Sequence, residues 1–280
     1  MSNTIYLNPV IKSGLGEDTF WTWFEREFPN TQFGVPEKID PSDVILHYST
    51  KGPSAHPGQT ICLMWELYPE MKQQLGTRRY DSYMQAIDQA ARSSSALVLS
   101  TGLMAPFYQH YEIEPDILPI AVNTDLFKPL SNKAGLRERY GIPQGKKIAF
   151  WGGNTHDFKG PHLLQPWADK HPDVHIIAAW TYKQFAGTLP GASNFIQVPQ
   201  QQLVELMNCA DFFLATSLLR PYYMVEWEAM ACNLPFEFVA PIEKEFEPGG
   251  APRDEVFARS WDRGSAKKLW SDYIEKFRNR

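Results

Sequence analysis

Cysteine is scarce in this chain: only Cys62, Cys209 and Cys232 occur in 280 residues, an odd number set in apolar runs. That composition excludes a disulfide framework and suits buried thiols in a reducing compartment, so a cytoplasmic protein is expected. Long hydrophobic runs are missing too, and no window approaches the roughly 20 apolar residues of a membrane span. No basic segment precedes an apolar run near Met1, so no leader is expected. Neither sign of charge dominates. The chain carries 27 Lys and Arg against 32 Asp and Glu, a formal net charge of −5, which predicts no unspecific attraction to nucleic acid or anionic lipid. His171 and His175 bracket a Pro-Asp-Val turn with no third ligand nearby, so neither a metal nor another cofactor is expected.

What is present is a large apolar fraction, 43% of the residues, arranged in short runs. Residues 4–7, 44–48, 60–65, 96–100, 117–121, 147–151, 174–179, 194–198, 211–216 and 236–239 read as strands, with helical patterns between them. Strands that are continuously apolar, rather than alternating, belong to parallel sheets covered on both faces, so the fold class is α/β. The polar, Pro-containing segment 122–133 is the strongest linker candidate. It divides an N-terminal domain, residues 1–122, from a second domain, residues 123–264. A final helix at 265–280 carries Leu269, Trp270, Tyr273 and Phe277 at helical spacing. The aromatic set Phe20, Trp21, Trp23, Phe24 and Phe28 reads as the core stripe of an early helix.

Residues 211–235 concentrate the chemistry. A buried strand ends at Thr216-Ser217, a short loop follows, and a helix opens near Met224 with Glu228 on its early turns. Helix N-terminal amides and the helix dipole suit phosphates, and a carboxylate suits ribose hydroxyls. Without a ligand, Glu228 is a carboxylate stabilised by the dipole. Ser217, the run Glu228-Ala-Met-Ala and Pro235 are similar to the donor-site signature of the retaining GT-B glycosyltransferases, family 4. Residues 96–101, 118–129, 147–160 and 195–211 resemble further motifs of that family, in the family's order. Two departures stand out. Arg220 occupies the position of a family glutamate, eight residues before Glu228, and Tyr223 stands where the family has glycine.

The resemblance implies a GT-B architecture, with two Rossmann-like domains facing across a cleft and the last helix returning to the first domain. It implies donor contacts from Gly14, Leu15 and Gly16 in the first domain. In the second, it implies contacts from Gly153, Asn154, Lys159, Val198, Arg220, Tyr222, Tyr223, Met224, Val225 and Glu228. Lys159 matches the family's phosphate lysine, while its arginine partner is replaced by Asn154; Arg220 is expected to supply the missing cation. Tyr222, Tyr223 and Met224 would offer backbone amides, their side chains being either core or sugar-facing. His47, at a strand's carboxyl end, is either a cleft residue or a satisfied structural histidine. Glu66 is the carboxylate nearest the family's His-Asp position, which here holds Trp65. Lys72, Arg78 and Arg79 read, from their charge alone, as a solvated helix end or as a contact to an acceptor phosphate or a nucleic-acid backbone. Catalytic candidates are therefore His47, Glu66, Lys159 and Arg220.

The activity implied is transfer of a sugar from a nucleoside-diphosphate sugar to an acceptor hydroxyl, with retention and without a metal. The acceptor would be a glycan, a small molecule or a hydroxylated base in phage DNA. The rival is a catalytically silent nucleotide-sugar-binding protein, and an epimerase or phosphorylase of the same shape is a third reading.

Overall fold

A computed structural model describes residues 3–8, 16–65, 76–181, 183 and 186–280, without the side chains of residues 16–19, 77 and 79. The chain divides into two compact units, Met1–Ala121 with Gly264–Arg280, and Val122–Arg263.

In the first unit β1 (Ile5–Asn8), β2 (Thr31–Phe33), β3 (Val44–Tyr48), β4 (Thr60–Leu63), β5 (Ala96–Leu99) and β6 (Asp116–Ile117) form a parallel sheet in the order β2-β1-β3-β4-β5-β6. Every residue of β3, β4 and β5 is buried, which is why these strands read as largely apolar runs. Edge strand β2 is absent from the sequence reading: it has three half-buried or exposed residues and no periodicity to detect. At the other edge, β6 is only two residues long, shorter than the run at 117–121 suggested. Helices α1 (Gly16–Glu27), α2 (Thr77–Arg92) and α3 (Ala105–Tyr108) lie between these strands in sequence.

The aromatic residues of α1 are core, as the sequence indicates. Phe20, Trp23 and Phe24 are buried with Trp65 and Trp270, and Phe20 meets Trp65 edge-on at 4.5 Å between ring centroids. Ala266, Trp270, Tyr273, Ile274 and Phe277 of the last helix complete this cluster. Leu269 departs from the expected stripe and is exposed; positions 266, 270, 273, 274 and 277 instead make one continuous helical face.

In the second unit β7 (Lys147–Gly153), β8 (Val174–Trp180), β9 (Ser193–Ile196), β10 (Phe212–Ala215) and β11 (Phe236–Phe238) form a parallel sheet in the order β11-β10-β7-β8-β9. Five helices belong to it among the described residues: α4 (Lys133–Arg139), α5 (Leu164–Lys170), α6 (Gln200–Cys209), α7 (Met224–Ala231) and α8 (Pro252–Ala258). The last helix, α9 (Arg263–Arg278), leads out of this unit. Residues 122–130 are not a loose tether. Phe127 is fully buried, the Leu130 amide donates to Asn208 Oδ1, and the Arg253 guanidinium donates to the carbonyls of Thr124, Phe127 and Ala231. The two ends of the unit meet where the Val122 amide donates to the Trp261 carbonyl at 2.7 Å.

In both sheets the strand order reverses direction, between β1 and β3 and between β7 and β10. At such a switch point the loops leaving neighbouring strands diverge to opposite faces and open a crevice at the carboxyl ends. Asp211 fixes the second of these. Its carboxylate accepts from the Ile148 amide at 2.8 Å, from Arg137 Nη2 at 2.9 Å and from Lys133 Nζ at 3.1 Å, tying the entry of β10 to β7 and α4. Arg137 is buried, whereas the Lys133 side chain is 47% exposed. Asp211→Ala is therefore expected to lower the unfolding free energy by about 2–4 kcal/mol, leaving a buried guanidinium and amide without their acceptor. Lys133→Met should cost under about 1 kcal/mol. Urea titrations of the two variants check the contrast.

Candidate functional site

The carboxyl ends of β7 and β10 carry most of the residues singled out in the second unit. β7 finishes at Gly152-Gly153, and a Cβ on Gly152 would stand 2.6 Å from Val225 Cγ2, so this glycine lets the first turn of α7 close on the strand end. The loop that follows is shaped by its own side chains. Asn154 is buried and accepts from the His156 amide at 3.0 Å, and His156 stacks on Phe158.

A short 3-10 turn, Asp157–Lys159, ends at Gly160 with φ +68°. Here glycine is obligatory twice over: the left-handed backbone disfavours a side chain, and a Cβ would lie 1.9 Å from the Thr216 carbonyl oxygen. This close approach laces the β7 loop to the β10 loop. Thr216 Oγ1 donates to the Lys159 carbonyl at 2.7 Å and accepts from Trp151 Nε1 at 2.8 Å, while the Leu218 amide donates to the Phe158 carbonyl. Lys159 is half-buried, with its ammonium 2.7 Å from the centroid of the Tyr223 ring and 5.6 Å from that of Phe158.

The loop from Ser217 to Tyr223 is held from a second side by residues 244–246. Lys244 Nζ donates to the Leu219 carbonyl at 3.0 Å, the Glu245 amide to the Arg220 carbonyl at 3.1 Å, and Tyr222 Oη to the Phe246 carbonyl. Arg220 itself is exposed and forms no ion pair among the described residues. Tyr222 turns inward against Trp227, Phe236 and Phe246. Of the two placements the sequence left open for its side chain, the core is the one found, and burial pushes its hydroxyl pKa upward.

Helix α7 starts at Met224, and its first turn is only partly available to a ligand. The Tyr223 amide already donates to Glu226 Oε2 at 2.7 Å, so the glutamate three residues into the helix caps it from within. That leaves the Met224 and Val225 amides, which have no carbonyl within the helix to accept from them.

Glu228 lies on the second turn, 7% exposed, and burial alone pushes its carboxyl from 4.5 up to about 8. No hydrogen bond joins its side chain to another described residue, in contrast with Glu226. Protonated, such a carboxyl donates a hydrogen bond, and ionised it accepts from hydroxyls.

The remaining candidates are spread more widely. Val198 is half-buried just past the end of β9, at the edge of the same sheet. His47 sits in the first unit beside Asn8, its register partner at the β1–β3 switch point. Its Nδ1 is 2.9 Å from Asn8 Nδ2 and its Nε2 is 2.8 Å from the Gly52 carbonyl. With the Asn8 amide donating to Nδ1 and Nε2–H donating to the Gly52 carbonyl, both ring nitrogens are engaged. Burial first, and the nearby Lys51 charge, lower its pKa; the Gly52 hydrogen bond opposes them. Of its two readings, this geometry is that of the satisfied structural histidine. Gly16 is the first residue of α1. Gly14, Leu15, Glu66 and Lys72, together with the Arg79 side chain, lie outside the described residues, and Arg78 is exposed. His171 and His175 have separate local partners, the Trp167 carbonyl and Ser193 Oγ.

Sequence reasoning missed Glu226 and Lys244. Glu226 had a legible signal, a glutamate three residues after the residue that caps a helix. Lys244 had none, being 18 residues further along in a segment without regular structure.

No established family profile matches the chain. It is 32% identical over 174 residues to a D-inositol 3-phosphate glycosyltransferase of Streptomyces scabiei, an alignment covering 52% of this chain and 39% of the relative. The chain thus spans less than half the length of the curated relative it matches. Among solved structures, Anabaena HepE in complex with UDP-glucose superposes with a TM-score of 0.71 at 12% identity, covering 98% of this chain and 99% of that one. Sucrose-phosphate synthase from Thermosynechococcus elongatus gives 0.69 at 11% identity, with 99% and 94% covered. The fold is that of the GT-B glycosyltransferases. Within that class, the sequence resembles family 4.

The raised pKa of Glu228 has a direct consequence for stability. The folded state keeps a proton that the unfolded state releases, so wild-type stability should fall as pH rises from 4.5 to about 8 and level off above. Glu228→Gln lacks this titration. Its melting temperature relative to wild type is expected to climb across that window and to stay constant outside it, measured by thermal unfolding from pH 4 to 9.

Proposed function

We propose that this protein is a glycosyltransferase that moves a sugar from a nucleoside-diphosphate sugar to an acceptor hydroxyl, with retention of configuration and without a metal. The observation that carries the reading is Glu228: a buried carboxyl, unpartnered among the described residues, on the second turn of a helix whose amino end meets the switch point of a Rossmann-like sheet. A nucleotide supplies what this site lacks, ribose hydroxyls for Glu228 and phosphate for the Met224 and Val225 amides.

Phosphate oxygens gain charge as the sugar leaves, and Lys159 and Arg220 are the cations proposed to meet it. Lys159 must leave the face of the Tyr223 ring to do so. The acceptor hydroxyl attacks the anomeric carbon from the side on which the diphosphate departs, the carbon–oxygen bond to phosphate breaks, and the hydroxyl proton passes to a departing phosphate oxygen. This route needs no base from the protein, in keeping with the engaged nitrogens of His47.

The acceptor is a hydroxylated glycan, small molecule or DNA base; the name of the curated relative makes inositol phosphate the first to try. UDP-glucose, bound in the HepE structure, is the first donor. The three cysteines are free and buried, which supports a cytoplasmic setting. No helix among the described residues is long and apolar enough to cross a membrane.

A second reading, binding without turnover, is favoured by Asn154: where the family's arginine would stand, a buried side chain is consumed in shaping its own loop. Incubation with a panel of uridine, guanosine, adenosine and cytidine diphosphate sugars separates the two, since the enzyme should release nucleoside diphosphate and a binder should not. With an active donor, Lys159→Ala is expected to lower kcat/KM by about 10²–10³-fold, the usual loss for one transition-state contact. Arg220→Ala should lower it at least about tenfold. Unchanged turnover in Arg220→Ala would remove Arg220 from the site.

A further inference from the structure

We infer that Lys244 is a positioning residue of the donor site, acting through a buried ion pair with Glu226. The inference rests on the donor-site reading above. The two side chains are 2% and 3% exposed, with Lys244 Nζ 3.0 Å from Glu226 Oε1. An ammonium offers three donors. One goes to Glu226, one to the Leu219 carbonyl at 3.0 Å, and the charge also lies 5.0 Å from the centroid of the Tyr222 ring.

Glu226 spends its second oxygen on the Tyr223 amide. A single lysine therefore fixes both the middle of the 217–223 loop and, through Glu226, the first turn of α7. The neighbouring bonds from the Glu245 amide to the Arg220 carbonyl and from Tyr222 Oη to the Phe246 carbonyl continue the strap. The consequence for the donor is specific. With the Tyr223 amide capped by Glu226, the diphosphate is directed to the Met224 and Val225 amides, and the Arg220 backbone is pinned at its carbonyl so that its side chain leaves from a fixed point.

Stability alone does not account for the pair. Desolvating two charges offsets most of their attraction, and two apolar residues of similar volume would hold a core equally well. What the apolar pair could not do is grip the Leu219 carbonyl and cap Tyr223.

The test uses full-length Lys244→Met, Lys244→Arg and the double variant Glu226→Gln with Lys244→Met. The double variant leaves no unpaired buried charge and so guards against simple misfolding. Two quantities are read: hydrogen exchange of the amides of residues 217–223, and the Kd for UDP, UDP-glucose and the corresponding guanosine, adenosine and cytidine compounds. In both methionine variants, exchange in the loop is expected to speed up at least tenfold while β7 and β8 keep their protection, and Kd to rise at least tenfold. Lys244→Arg should recover part of the affinity. Loop exchange that stays slow in the methionine variants overturns the inference, as does a loosened loop with an unchanged Kd. If wild type binds no member of the panel, the donor-site reading itself falls and takes this role with it; tight wild-type binding matched by the variants removes Lys244 alone.

Discussion

The second unit is organised around one buried contact between charges. Lys244 and Glu226 are both withdrawn from water, and each satisfies a backbone group that would otherwise be left over, the Leu219 carbonyl and the Tyr223 amide. Removing either partner would strand a charge in a dry environment, an outcome far more costly than the net worth of the intact pair. The pair therefore acts less as glue than as a register pin. It sets where the loop after β10 ends and where α7 begins. On that boundary depend the inward turn of Tyr222, the exposure of Arg220 and the depth of Glu228.

A second constraint comes from backbone crowding. Gly160 and Gly152 allow one loop to reach the Thr216 carbonyl and one helix to reach the end of β7, at distances no Cβ would tolerate. Together with the Thr216 hydroxyl, which serves both the Lys159 carbonyl and Trp151, they bring the β7 and β10 loops to one edge. The sheet itself contributes the divergence of those loops, because its strand order reverses between β7 and β10. The site is thus a product of topology, two glycines and one ion pair. Lys159, Arg220 and Glu228 are carried on that frame.

Much of the frame was legible in the residues. Strands whose two faces are both covered are largely apolar, so β3, β4, β5 and β10 announce themselves as apolar runs, interrupted only by His47 in β3 and Thr60 at the start of β4. The Glu228 run and Pro235 mark a helix and its exit after such a strand. Short or polar edge strands carry no such mark, which is why β2 escaped notice and β6 came out shorter. Leu269 shows the limit of spacing arguments: it shares a helical period with Trp270 and Tyr273, yet the packed face runs along 266, 270, 273, 274 and 277.

By itself the sequence determined that parallel sheets would form and which strand would lead into the candidate helix, and it named the side chains at that junction whose chemistry suits phosphate or hydroxyl. These follow from local periodicity and from the chemistry of single residues. Only the tertiary structure decided that Tyr222 is core, that both nitrogens of His47 are taken by Asn8 and Gly52, that Lys159 rests on Tyr223, and that Lys244 closes on Glu226. Each of these is an encounter between groups from different elements or loops, and its energy depends on burial that no single stretch of chain possesses before the rest has packed around it.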